Sequence, residues 1–215
     1  MELWHVHREL AVGDTVDLDV DRLTVTPDQV IEGAGLELEP DHPGWAARLE
    51  TLADTVAPGM RLLAVGLNPS LHSARAGVGY ARGGNRFWPA ALAAGIATVD
   101  RDPLHALEAH GTGMTDLVKR ATPRVDEVSR AEFEVGIARV RWVVETFAPA
   151  AVCIVGLAGW RSAIDRKALA GWQAEPFGGR PVYLMPSTSG LNASSRPSDL
   201  ADHLRMAGAG PPRSA

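Results

Sequence analysis

A chain of 215 residues fits one compact domain with room for a small appendage. Hydrophobic residues make up 46% and charged residues 22%, a globular mix that excludes wholesale disorder. No run approaches the roughly 18 apolar residues of a membrane span, and the opening MELWHVHREL lacks a basic-then-apolar signal pattern. A soluble, cytoplasmic protein is the expectation.

The single cysteine, Cys153, excludes an internal disulfide, a Cys-rich zinc site and a four-cysteine iron–sulfur cluster. It lies in the apolar run AAVCIV, where a buried structural thiol is expected. The net charge of −5 hides an uneven distribution. Residues 1–54 hold 13 acids and 3 bases, a local net of −10, whereas residues 55–215 hold 13 acids and 18 bases, a local net of +5. An acidic head sits on a mildly basic body, and local field rather than total charge steers a polyanion.

In chain order, LWHVHREL, DTVDLDV and RLTV read as short strands with turns at Gly13-Asp14 and Asp21-Arg22. TPDQVIEGAG reads as a short helix with Thr26 as N-cap, Pro27 at its first position and Gly33 or Gly35 near its end. Residues 1–42 are thus expected to form a β-rich appendage. His5 and His7 would share a strand face there, with no third ligand nearby for a metal.

From Pro43 the pattern becomes strands alternating with helices. GWAARLETLADTV predicts an amphipathic helix ended by Pro58-Gly59, and RLLAVGL (61–67) a strand buried on both faces. Asn85 to Gly95 predicts a helix with Phe87, Trp88, Leu92 and Ile96 on its core side. GMTDLV (113–118) predicts a second strand, and 129–147 a helix with Ser129 and Glu132 as a capping box. AAVCIVGL (150–157) and PVYLMP (181–186) predict two more strands, each followed by a helix, from about Gly159 and from Ser198 to Met206. The expected architecture is α/β, a three-layer sandwich with a mostly parallel four-stranded sheet over residues 43–206, and a flexible tail at 207–215.

Ligands of open parallel sheets sit beyond the carboxyl ends of the strands. Two stretches there are polar and longer than a connection requires: 66–88 (GLNPSLHSARAGVGYARGGNRFW) and 185–199 (MPSTSGLNASSRPSD). In the first, Gly66 is expected to allow a sharp turn, and Pro69 to hold Asn68 extended so that its amide enters the crevice. An Asn can orient a water but cannot act as a strong base. Tyr80, flanked by glycines, offers a flat ring for stacking, and Arg75, Arg82 and Arg86 add positive charge. The second stretch supplies Ser187, Thr188, Ser189 and Asn192 as small donors suited to phosphate oxygens. Leu191 is either a buried anchor or a wedge for a base stack. The short GLAGW turn after 150–157 reads as close strand–helix packing.

Taken together, GLNPS, GYARGGNRFW, TDLVKRAT and MPSTSGLNAS resemble the mismatch-specific uracil/thymine-DNA glycosylase branch of the uracil-DNA glycosylase superfamily, over about 56–206. The resemblance implies an α/β/α sandwich without metal or cofactor, probing double-stranded DNA as a monomer in base excision repair. It implies Asn68 as the water-positioning catalytic residue, with Gly66, Leu67, Tyr80 and Ser187 around the flipped base. Arg82, Arg86, Ser189, Gly190, Leu191 and Asn192 would contact DNA, Leu191 as the wedge. Ser70, His72 and Asn192-Ala193 depart from the common pattern, which bears on lesion preference. With no carboxylate at position 68, catalysis would rest on positioning and on backbone N–H groups stabilising the departing base. No lysine lies in either active loop, so an abasic site without strand cleavage is expected. The alternatives are a non-catalytic lesion binder, a glycosylase for deaminated purines, or a small-molecule hydrolase or nucleotide-binding enzyme on a similar sheet, for which Ser70 and His72 would be the nucleophile and base but Gly77-Val-Gly79 lacks the dinucleotide spacing.

Overall fold

The computed structural model describes residues 7, 9–18 and 32–212. Two sheets organise them. The smaller is antiparallel, with β1 (Thr15–Asp17) and β2 (Leu36–Leu38) flanking a central β3 (Trp45–Arg48). The larger has five strands: β4 (Leu62–Gly66), β5 (Thr112–Asp116), β6 (Ala151–Val155), β7 (Gly171–Trp172) and β8 (Val182–Met185), in the order β5-β4-β6-β8-β7. The first four of that order pair in parallel, and β7 closes the edge antiparallel to β8.

Strands β4, β6 and β8 are uninterrupted apolar runs because both faces are covered, whereas β5 is equally buried but carries Thr112, Thr115 and Asp116. Leu62, Ala64, Cys153, Val155, Tyr183 and Met185 face one core. It is closed by α2 (Phe87–Ala94), α3 (Pro103–His110) and α6 (Pro197–Ala209). Leu63, Val65, Val152, Ile154, Val182 and Leu184 face the other, against α4 (Arg130–Phe147) and α5 (Leu157–Ala163). This is the three-layer α/β sandwich that the strand–helix alternation predicts. Burial pushes the Cys153 thiol up to about 12, so it is an inert core group. Ser129 and Glu132 form the expected capping box at the start of α4. No described helix is long and apolar enough to cross a membrane.

The sheet has one strand more than the four predicted, because Gly171–Trp172 is too short for periodicity to register. Residues 45–57 are not a helix. Trp45–Arg48 is a strand hydrogen-bonded on both sides, and the segment then runs extended to an antiparallel bridge between Thr55 and Met114. Apolar spacing there fits a helix equally well, and pairing to two neighbours decides against it. The small sheet therefore reaches past residue 42.

His7 and Glu9 are helical rather than extended. His5, RLTV and the Thr26-Pro27 helix start lie outside the described residues, although Glu32 and Gly33 are helical. Leu92 is 37% exposed, so Ala90 and Ala91 take the core side of α2 beside Phe87 and Trp88. A further helix, α1 (Leu71–Ala76), interrupts the 66–88 stretch, capped by Ser70. Helix α3 also goes beyond the predicted elements, although Asp102, Pro103 and Gly111 mark its two ends. Helix α6 extends to Ala209, three residues past its expected end at Met206, with Ala207 fully buried.

Candidate functional site

The chain enters the large sheet at β4, places β5 on one side and then crosses to β6 on the other. Such a reversal opens a crevice at the carboxyl ends of the strands. A cavity of about 670 Å³ lies there. Its walls include Leu67 and Asn68 after β4, Asp116 at the end of β5, Val155 at the end of β6, and Ser187 after β8.

Asn68 is held by acceptors. Its Nδ2 donates to Thr122 Oγ1 at 2.7 Å, to the Arg120 carbonyl at 3.1 Å and to the Pro69 carbonyl at 3.2 Å. The Thr122 hydroxyl spends its only proton on the Arg124 carbonyl at 2.7 Å, so toward Asn68 it can only accept. Three oxygens around one end of the amide fix which end is NH2. Oδ1, with no hydrogen-bond partner among the described residues, remains as the acceptor that Asn68 offers a ligand.

Tyr80 adopts a left-handed backbone, φ 58°, and stacks on Phe87 with ring centroids 4.0 Å apart and planes 13° from parallel. The flanking glycines do not leave the ring open on both sides: Phe87 covers one face, which fixes the plane of the other. Trp88 Nε1 donates to the Gly79 carbonyl at 2.8 Å and pins the same loop. Tyr80 Oη is buried without a hydrogen-bond partner among the described residues. Burial, then the nearby Asp116, raise its pKa well above the usual phenol value.

Gly66 is required for space, not for a turn. A Cβ there would lie 2.2 Å from Asp116 Oδ1 and 3.0 Å from Tyr80 Oη, so its hydrogen admits both groups to the crevice floor. Its φ lies outside the left-handed region, unlike the sharp turn expected.

Asp116 is 8% exposed and lines the cavity. Burial pushes its carboxyl up to about 6; Lys119 and Arg139 pull the other way and Asp54 adds to the rise. Beneath it lies a buried charge cluster. Asp54 receives Lys119 Nζ at 2.8 Å, Arg139 at 2.7 Å and the Thr115 hydroxyl at 2.5 Å. Burial would raise the Asp54 pKa, but the two cations hold it below the usual carboxylate value. Asp116 has no such ion pair among the described residues, and that contrast sets the two carboxyls apart.

The loop after β8 is a braced structure. Arg86 donates to the carbonyls of Ser195 at 2.6 Å, Ser189 at 2.9 Å and Asn192 at 2.6 Å. Asn192 Nδ2 donates to the Ser187 carbonyl at 2.7 Å. Gly190 packs on Gly84, whose carbonyl would sit 2.8 Å from a Cβ at 190. Leu191 projects from this frame 90% exposed, which removes the buried-anchor alternative.

Of the residues singled out from sequence, Gly66 sits at the end of β4 behind the crevice floor, while Leu67, Asn68, Tyr80, Arg82, Ser187, Ser189, Gly190 and Leu191 line the cavity. Arg86 and Asn192 act inside the loop instead, and Arg75 pairs with Glu50 at 2.6 Å. Ser70 bonds Ser73, and His72 is exposed on α1, so those two form no nucleophile–base pair. Asp116 and Thr122 also line the cavity, and motif reading passed over them. Asp116 stands within TDLVKRAT at a strand's carboxyl end, a position that was itself the signal. No three His, Cys, Asp or Glu side chains converge as a metal site among the described residues.

A family model described as the uracil DNA glycosylase superfamily matches residues 53–206, well over half of the chain and the whole of the large sheet. The chain belongs to the uracil DNA glycosylase superfamily, a family of glycosidic hydrolases that act on DNA.

Proposed function

We propose that this protein is a monofunctional DNA glycosylase of the mismatch-specific type. It takes uracil, or thymine or a modified pyrimidine, out of a G mispair and hydrolyses its N-glycosidic bond. The observation that carries this reading is the locked Asn68 amide, facing a nucleoside-sized cavity that it shares with a stacking ring and an unpaired carboxyl.

Breaking the C1′–N1 bond leaves its electron pair on the base and a cationic sugar. Asn68 Oδ1 accepts a hydrogen bond from the attacking water and aims its oxygen at C1′. Asp116, ionised above about pH 6, supplies the carboxylate that position 68 lacks. Its charge favours the cationic sugar, and it can take the proton that water loses. Tyr80 presents its free face to the extruded ring, and backbone N–H groups of the 187–191 loop balance charge on the departing base. Leu191 fills the gap left in the stack, and Arg82, exposed at the cavity rim, meets phosphate. Extrusion costs a few kcal/mol and least at a mispair, which selects lesions before chemistry. Lys119 is tied to Asp54 away from the cavity, which leaves water as the nucleophile and an abasic site as the product.

The test is release of uracil from a G·U duplex, with alkali revealing abasic sites, and G·T, A·U, single-stranded uracil and hypoxanthine substrates alongside. Wild-type turnover that Asn68→Ala abolishes supports the reading. Tight duplex binding without turnover identifies a lesion binder instead.

A further inference from the structure

The family match begins at residue 53, yet the wall of the cavity begins one residue earlier. Leu52 comes from the segment that leads out of the small sheet, is 7% exposed, and lines the cavity that Asn68 lines. Its Cδ1 lies 3.7 Å from where a Cβ on Gly79 would stand, so it packs against the glycine that precedes Tyr80. Behind it is a second cavity of about 30 Å³, walled by Ala53, Thr55, Gly77, Met114 and Thr115. Among the described residues, Leu52, Gly79, Tyr80 and Asp116 border both spaces. Gly79 has no side chain and the Tyr80 ring is fixed by its stack on Phe87, so the Leu52 isobutyl group is the aliphatic part of the partition.

Leu52 is fixed from behind. Its carbonyl accepts from Lys119 Nζ, and Thr51 donates its hydroxyl to the Lys119 carbonyl. The same ammonium binds Asp54, whose backbone N–H reaches the Gly33 carbonyl at 2.6 Å. Arg48 of β3 donates to the Ala74 carbonyl of α1 at 3.5 Å. The N-terminal unit is therefore tied to the strand end carrying Asp116 and to the helix that follows Asn68.

We infer that the N-terminal segment completes the base pocket, with Leu52 as a specificity-determining wall that limits how large an extruded pyrimidine the site accepts. The inference rests on the glycosylase reading. Shortening Leu52 joins the two cavities and gives a substituted ring more room than the native wall leaves it.

The experiment compares single-turnover release of uracil, thymine and 5-hydroxymethyluracil opposite G by the full chain and by Leu52→Val, Leu52→Ala and Leu52→Phe. The ratio of substituted base to uracil should rise about tenfold in Leu52→Ala and less in Leu52→Val, and fall in Leu52→Phe, as expected for altering an apolar pocket by one to three carbons. A purely structural role lowers all three rates in proportion. Ratios that stay within about twofold across the variants therefore overturn the inference while leaving the reading intact. Failure of the unsubstituted chain to release any base overturns the reading and the inference together. The milder Val variant keeps the comparison available if Leu52→Ala does not fold.

Discussion

Asn68 Nδ2 stands 2.7 Å from Thr122 Oγ1, and that hydroxyl passes its own proton to the Arg124 carbonyl at 2.7 Å. A one-way chain of hydrogen bonds thus runs from the amide through Thr122 to the backbone beyond it. The direction matters more than the contact, because it leaves Asn68 Oδ1 without a hydrogen-bond partner among the described residues, as the proposed water-holding role requires. Thr122→Val keeps the shape and removes the acceptor. We expect kcat on G·U to fall about tenfold, which is about 1.4 kcal/mol of positioning, with KM little changed. Thr122→Ser should restore it; a Ser variant as slow as Val would remove Thr122 from that role.

Asp116 predicts a pH profile. If its ionised form acts in turnover, kcat rises with pH through about 6 and levels above it. Asp116→Asn should flatten that limb and lower kcat on the order of 100-fold, the usual scale of lost acid–base help.

The same residue predicts a gain in stability. A carboxyl whose folded pKa lies above its unfolded value stabilises the fold below about pH 4, and that contribution is lost as pH rises to about 6. Above that, a buried anion without a paired cation is a cost. Asp116→Asn should therefore resist denaturant better than the parent at pH 8, by about 1 to 3 kcal/mol. The advantage should vanish near pH 4. Chemical denaturation at the two pH values checks it.

Leu191 tests recognition apart from chemistry. With its side chain 90% exposed on a loop braced by Arg86, truncation disturbs no packing. Leu191→Ala should slow uracil release from a G·U duplex by roughly tenfold, since holding open the stack is worth a few kcal/mol. Release from single-stranded DNA should change little. Equal losses on both substrates would argue against a wedge.

Asp54 anchors two buried cations, Lys119 and Arg139. Asp54→Ala leaves both without their carboxylate and should cost about 3 to 5 kcal/mol of stability, measured by urea unfolding. Because Lys119 also holds Leu52, we expect activity in the folded fraction to fall too.

Much of the fold was legible because its signals are local. Strands β4, β6 and β8 are apolar runs of residues buried on both faces, and Ser129 with Glu132 marks the start of α4 through contacts three residues apart. Asn68 and Tyr80 stood out because polar and glycine-rich loops follow strand ends. The 45–57 segment was misread because apolar residues three to four apart suit a helix until two neighbouring strands claim the backbone.

The chain's sequence by itself determined the layers, the parallel sheet and the two loops where ligand must sit, since periodicity and strand–helix alternation act within a few residues. Only the tertiary structure decided that Asp116 and Leu52 share a cavity with Asn68, that Arg86 braces a loop about a hundred residues away, and that Thr122 turns the Asn68 amide. Those facts depend on which groups meet across the sheet and on which of them burial leaves without a partner. No local pattern encodes that.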